Sequence, residues 1–273
     1  SALNFSTTAS SNTALGYGAL LFNTTASNNT AVGYQAGYSK TTGDSITAVG
    51  RLALYSNTTG GSNEAFGLNA LYSNTTGSNN VAMGTTALQA NTTASNNTAV
   101  GYQAGYSNTT GADETAVGRR ALYSNTTGYA NDAFGVNSLN ANTTGTRNVA
   151  VGAYSLDANT TGNYNVGLGH QALSANTTAS NNTAVGYQAL YANTTGAGNT
   201  ALGDQAGKAL TVNGGCTFIG QESGLSTTGG YNTFLGEDSG WQVTTGTKNT
   251  IIGRFDGNQG GLDIRTSNNN IVL

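Results

Sequence analysis

The feature that most limits what this chain can fold into is a phrase that returns every 17 residues. Asn-Thr-Ala-Val-Gly-Tyr-Gln-Ala stands at 29–36, 97–104 and 182–189. Counted from Asn12, equivalent positions fall at 29, 46, 63, 80, 97, 114, 131, 148, 165, 182 and 199, with no insertion. The text then reads as a step of 18 to Thr217, 15 to Asn232 and 17 to Asn249. A short fixed period of this kind builds a stack of like units, each resting on its neighbours, and not a globule around one active site.

The unit can be written N-T-A-V-G-Y-Q-A-L-Y-S-N-T-T-G-S-N, places 1 to 17. Place 5 is Gly in every unit: Gly16, Gly33, Gly50, Gly67, Gly84, Gly101, Gly118, Gly135, Gly152, Gly169, Gly186 and Gly203, then Gly220, Gly236 and Gly253. Such repetition within one chain marks a backbone position with positive φ, or one that another backbone passes too closely for a Cβ. Place 4 is always apolar, as at Val32, Val100 and Val185, and place 9 is mostly Leu or Gly. Two short extended segments, at places 2–5 and 7–11, fit this pattern, separated by Asn, Thr, Ser and Gly turns. A helical hairpin does not fit, because poor helix formers dominate and the apolar residues lack a 3–4 spacing. The expected fold is all-β: a parallel β-solenoid with one coil per unit and coils about 4.8 Å apart. Like residues then stack into an Asn ladder at place 1, an apolar ladder at place 4 and paired Thr ladders at places 13 and 14.

Composition supports order of this unusual kind. Only 8% of residues are charged, Gly numbers 40 and Pro is absent, against roughly a quarter charged in common soluble domains. A net charge of −3 offers no basic face for nucleic acid or anionic lipid. No apolar run nears the roughly 20 residues of a bilayer span. One cysteine excludes an intrachain disulfide. The chain divides into regular repeats over 1–207, bulkier irregular coils over 208–257, and a terminal cap or junction over 258–273. It lacks an initiating Met and breaks off in strand-like text at Asn270-Ile271-Val272-Leu273, so it reads as a piece of a longer protein. With one Val and one Leu among several Ala per coil, a lone solenoid has little large apolar surface to bury. Lengthwise association, with three copies the simplest form, is therefore expected.

The phrase Asn-Thr-Ala-Val-Gly resembles the head repeats of trimeric autotransporter adhesins (YadA-like). The closing text, Gly229 to Gly236 and on through Leu262-Asp263-Ile264-Arg265-Thr266, resembles bacteriophage tail-fibre shafts. The resemblance implies a left-handed β-roll, a trimer, an extracellular or virion setting, and a structural or adhesive role. The 17-residue unit is longer than those of adhesin heads, and neither a coiled-coil stalk nor a chaperone segment is in this sequence.

Few residues invite chemistry. His170 is the single histidine and takes the place-6 position of Tyr, with no nucleophile or carboxylate in the neighbouring text. Cys216, beside the apparent insertion, reads as a small buried thiol. Asp238, Asp256 and Asp263 are too scattered for a calcium repeat. Glu222 and Glu237, 15 apart, are the nearest approach to a glycosidase pair and read as a solvated cap. No metal or cofactor is expected, and no enzyme activity. Rows of Tyr at place 6 (Tyr34, Tyr102, Tyr187) and place 10 (Tyr55, Tyr72, Tyr123) read as surface or interface aromatics that pack along the solenoid, with sugar stacking as the alternative. Asn-Thr-Thr at Asn57 and Asn74 also spells a glycosylation site, although turn chemistry explains it.

The expected function is a non-enzymatic structural element of an extracellular or virion-surface fibre that spaces a host-binding tip. The alternatives are an adhesin or filament subunit on a microbial surface, and ice binding through the Thr ladders. The expected partners are further copies of the chain, as a homotrimer or filament, and a cell-surface glycan or receptor. Nucleic acid and membrane insertion are not expected.

Overall fold

The computed structural model describes residues 2, 3, 5 and 7–273. It is an all-β parallel solenoid of about 15 coils, with no helix among the described residues. Contacts group the chain into two compact units, Ser1–Phe134 and Gly135–Leu273. In the first, three-residue strands run from Thr13–Leu15 and Thr30–Val32 to Asp132–Phe134. In the second they run from Val149–Val151 to Thr250–Ile252, followed by Ile271–Val272. Within each unit these strands pair in parallel with the one a coil away, like place on like place: Thr98 opposite Thr115, Ala99 opposite Ala116, Val100 opposite Val117.

Register corrects the reading of the later repeats. Thr217 pairs with Thr200, so the 17-residue step continues and Cys216, not Thr217, occupies place 1. The next step is one residue short, Thr217 to Thr233. The last is long, Thr250 to Ile271, and its extra residues form a small antiparallel hairpin, Asn258–Gln259 with Leu262–Asp263.

The second expected strand, at places 7–11, is not extended. Place 7 and place 9 both take positive φ, as at Gln103 (58°) and Leu122 (51°). These left-handed residues curl the segment into consecutive turns and drive the place-8 Ala and place-9 Leu into the interior. A left-handed Leu costs roughly 1–2 kcal/mol, which full burial of Leu54, Leu71 and Leu173 offsets. Backbone bonds still climb from coil to coil here, as Leu71 N–H to Ala87 O at 3.0 Å and Ser73 N–H to Gln89 O at 3.0 Å. The whole lap is thus hydrogen-bonded to its neighbours, although only places 2–4 are strand.

Gly at place 5 meets both conditions inferred for it. Gly101 has φ +137°, and a Cβ there would lie 2.5 Å from the carbonyl oxygen of Gly118.

The interior is narrow and made of small residues. Ala31, Ala99 and Ala184 at place 3, Ala at place 8 and Leu at place 9 are buried, together with Asn at places 1 and 12. The place-4 ladder faces the other way. Strand alternation sends place 3 inward, so Val32, Val100 and Val185 sit on the outer face, half-buried.

Candidate functional site: internal ladders and outward rows

Two buried Asn ladders hold the turns. At place 1, the Oδ1 of Asn80 accepts the N–H of Asn97 (3.0 Å), and its Nδ2 donates to the place-15 carbonyl of Ala94 (3.0 Å). At place 12, Asn91 Nδ2 donates to the same Ala94 oxygen (3.1 Å) and to Asn74 Oδ1 (2.8 Å). Each place-15 carbonyl therefore draws two amide donors. Buried polar groups need such partners, since an unmade bond there costs about 1–3 kcal/mol. The same geometry answers the glycosylation question: Asn57 and Asn74 are fully buried and their Nδ2 atoms are engaged, so a folded coil presents no free amide.

Three coils break the place-1 ladder, and each break follows a Gly at place 9 one coil earlier. Gly37 precedes Ile46, Gly105 precedes Glu114, and Gly207 precedes Cys216, each by nine residues. Removing the place-9 Leu opens space that a larger neighbour fills. A Cβ on Gly37 would lie 3.3 Å from Ile46 Cδ1, and one on Gly207 would lie 2.5 Å from a ring carbon of Phe218. Beside Gly105 a small cavity remains, lined by Leu88, Leu122, Asn108 and Glu114 among others. Sequence reasoning missed these breaks, although Gln-Ala-Gly followed nine residues later by a residue other than Asn is a readable signal.

Each break leaves the place-15 carbonyl one donor short, and the replacements differ. For Ile46, the buried Lys40 of the preceding coil donates Nζ to Gly60 O; burial lowers its pKa to about 8, partly countered by Asp44. For Cys216, the buried thiol reaches Gly229 O at 3.6 Å, and burial raises its pKa. Glu114 accepts from Asn131 Nδ2 (3.1 Å) and Asn125 Nδ2 (3.4 Å) through Oε1, while Oε2 is buried without a partner. Burial pushes its pKa well up, opposed by its bonds from Asn131 and reinforced by Asp132 and Asp113.

Outside, the place-4 row is apolar in both units. Phe66, Met83 and Phe134 are exposed in the first, and Leu168, Leu202, Leu235 and Ile252 in the second, Leu202 by 48%. The place-2 residues beside it are mostly Thr. Of the Thr pairs, the first is tied down, as Thr75 Oγ1 to Thr92 O at 3.0 Å. Only the second, such as Thr76, is exposed, so each of these turns presents one Thr to solvent.

The Tyr rows stack on themselves. Tyr55 lies between Tyr38 and Tyr72, with ring centroids 5.1 and 5.2 Å away. Tyr106 stacks on Tyr123, Tyr34 on Tyr17, and Tyr187 on His170. Tyr102 is exposed. His170 thus belongs to a ring row. Glu222 and Glu237 occupy different rows, places 7 and 6; Glu222 shares its row with Asp238, which Arg254 grips at 2.7 Å. Asp263 pairs with Arg265 at 2.7 Å, and the guanidinium holds its carboxyl down at about 2. Among the described residues no three His, Cys, Asp or Glu side chains group as a metal site, and no helix is long and apolar enough to cross a membrane.

Fold and side-chain ladders together define a parallel β-solenoid repeat protein. No family model matches the chain, and neither a curated protein nor a solved structure matches it.

Proposed function

We propose that the chain is a non-enzymatic structural segment of an extracellular or virion-surface fibre, acting as a spacer for a host-binding tip, and that it works as a bundle of identical copies. The observation that carries this reading is the outward place-4 row. Large apolar side chains recur there coil after coil, beside small Thr and with few charges to repel a partner. Solvent-facing apolar surface of this continuity marks an association face. A parallel strand face repeated along a solenoid suits an identical face, and three copies around an axis would cover all three rows. A homotrimer is the reading taken from the YadA-like and tail-fibre resemblance, and the row supplies its physical basis.

Sedimentation equilibrium with electron microscopy tests this. A trimer with three-fold cross-section supports it, and end-to-end filaments favour the surface-filament alternative. A clean monomer at micromolar concentration overturns it. The double variant Val100→Lys, Val185→Lys, on the outer face of both units, is expected to dissociate the assembly while leaving the circular dichroism of the coils unchanged.

A further inference from the structure

The last coils depart from the repeat in one place more than any other, and the departures enclose a cleft. The short step after coil 13 and the long hairpin step after coil 15 both fall here. Between them lies a concavity of about 400 Å³ lined by Glu222, Asp238, Trp241, Arg254, Asp256 and Gln259. Trp241 is the chain's single tryptophan. It stands at place 10, where earlier coils carry Tyr stacked on Tyr, yet among the described residues no ring stacks on it, and it is exposed. It is one of the residues that line the cleft.

The walls are braced. Arg254 holds Asp238 through Nε (3.1 Å) and one terminal nitrogen (2.7 Å). Asp256 accepts from Gln242 Nε2 (2.8 Å) and from the Asn258 N–H (2.8 Å), which ties the hairpin to coil 14. Among the described residues, the Glu222 carboxylate and the Gln259 amide have no side-chain partner, so both remain available to a guest.

We propose that this cleft binds a neutral saccharide, the pyranose C–H face on Trp241 and its hydroxyls on Glu222 and Gln259. An exposed aromatic ring takes an apolar ring surface. A carboxylate only accepts hydrogen bonds, an amide does both, and the free Arg254 N–H donates. That set matches vicinal hydroxyls and ring oxygens. Pockets of a few hundred Å³ with an aromatic wall and a few fixed polar groups have the dimensions of one or two sugar rings. Three carboxylates against one guanidinium leave the cleft negative, so uronic and sialic acids are disfavoured. The inference does not rest on the fibre reading, since the cleft is formed within a single chain.

Because Trp241 is alone, intrinsic tryptophan fluorescence reports this site only. Titration of the full chain with β-linked N-acetylglucosamine trimer and with galactose and glucose oligomers is expected to give a saturable change with at least one probe. Glu222→Gln and Gln259→Ala are each expected to weaken it at least about tenfold with unchanged melting temperature. Calorimetry on Trp241→Phe checks that binding survives, weakened, when the reporter is removed. No saturable change with any neutral probe, equal affinity in both variants, or a response only to spermidine or calcium would each overturn the proposal. Loss of the trimer with retained sugar binding would sink the fibre reading alone.

Discussion

Replacing Glu114 by Gln tests the logic of the internal ladder. In ordinary coils an Asn amide at place 1 both accepts and donates; a protonated carboxyl keeps both capacities, accepting at Oε1 and carrying a donor on the buried Oε2 that has no partner when ionised. Gly128 O, the place-15 carbonyl of this coil, receives Asn125 Nδ2 at 3.0 Å but has no place-1 Asn to supply the second amide donor found in other coils. Ionised, Glu114 instead buries an unpaired charge near Asp113 and Asp132. Its folded pKa is raised above the ordinary value of 4.5, so the stability it contributes is fully present below that pH. That stability is lost as pH rises towards and through the folded pKa. Within this window each pH unit removes about 1.4 kcal/mol. Gln keeps the shape and a permanent donor, and cannot titrate. Guanidinium melts of both proteins between pH 4 and 9 are expected to coincide at pH 4 within about 1 kcal/mol. Above that the wild type should fall away by about 1.4 kcal/mol per unit until its slope flattens. Parallel pH profiles would refute the buried-proton argument. Glu114→Ala, which enlarges the cavity beside Gly105, should lose stability at every pH.

Other consequences follow from the same geometry. Gly101→Ala forces a Cβ against the Gly118 carbonyl at positive φ and is expected to cost about 3 kcal/mol or more, read as a lowered denaturation midpoint. Asn74→Ala leaves Asn57 Oδ1 and Asn91 Nδ2 each one bond short; the expected loss is about 1–3 kcal/mol, with Asn74→Asp worse at neutral pH than at pH 3. Lys40 has the opposite linkage from Glu114. Its pKa is lowered to about 8, so the unfolded chain binds the extra proton between pH 8 and its ordinary value of 10.5, and stability gained from this residue rises with pH across that window. Lys40→Met should abolish that rise in difference melts against wild type. Cys216 is buried and is expected to react with iodoacetamide only in denaturant; rapid labelling of the native protein would place it wrongly.

Much of the architecture is legible in the text because periodicity is itself a structural statement. Gly101 and its equivalents recur because two backbones meet there, and Asn80 and its equivalents recur because a turn carbonyl needs an amide. Where the repeat lapses, the text and the fold diverge. Cys216 keeps the register at place 1 without the Asn that marks other units, so Thr217 reads as a start one residue late. Places 7–11 read as extended because they lie between the Asn, Thr, Ser and Gly turns that bound a second short segment. A left-handed Leu is too unfavourable locally to be guessed, and it persists because the interior rewards the curl.

The sequence by itself determined the lap length, the stacking of like on like, and the places where Gly and Asn are obligatory, since those demands are local and repeat identically. Only the tertiary structure decided which way each row faces. Pleat parity sends Ala inward and Val32, Val100 and Val185 outward, and one residue of difference exchanges core for surface. It also decided which breaks compensate one another, as with Lys40 and Ile46 at the Gly60 carbonyl or Gly105 and Glu114, because those partners meet only after the coil has closed.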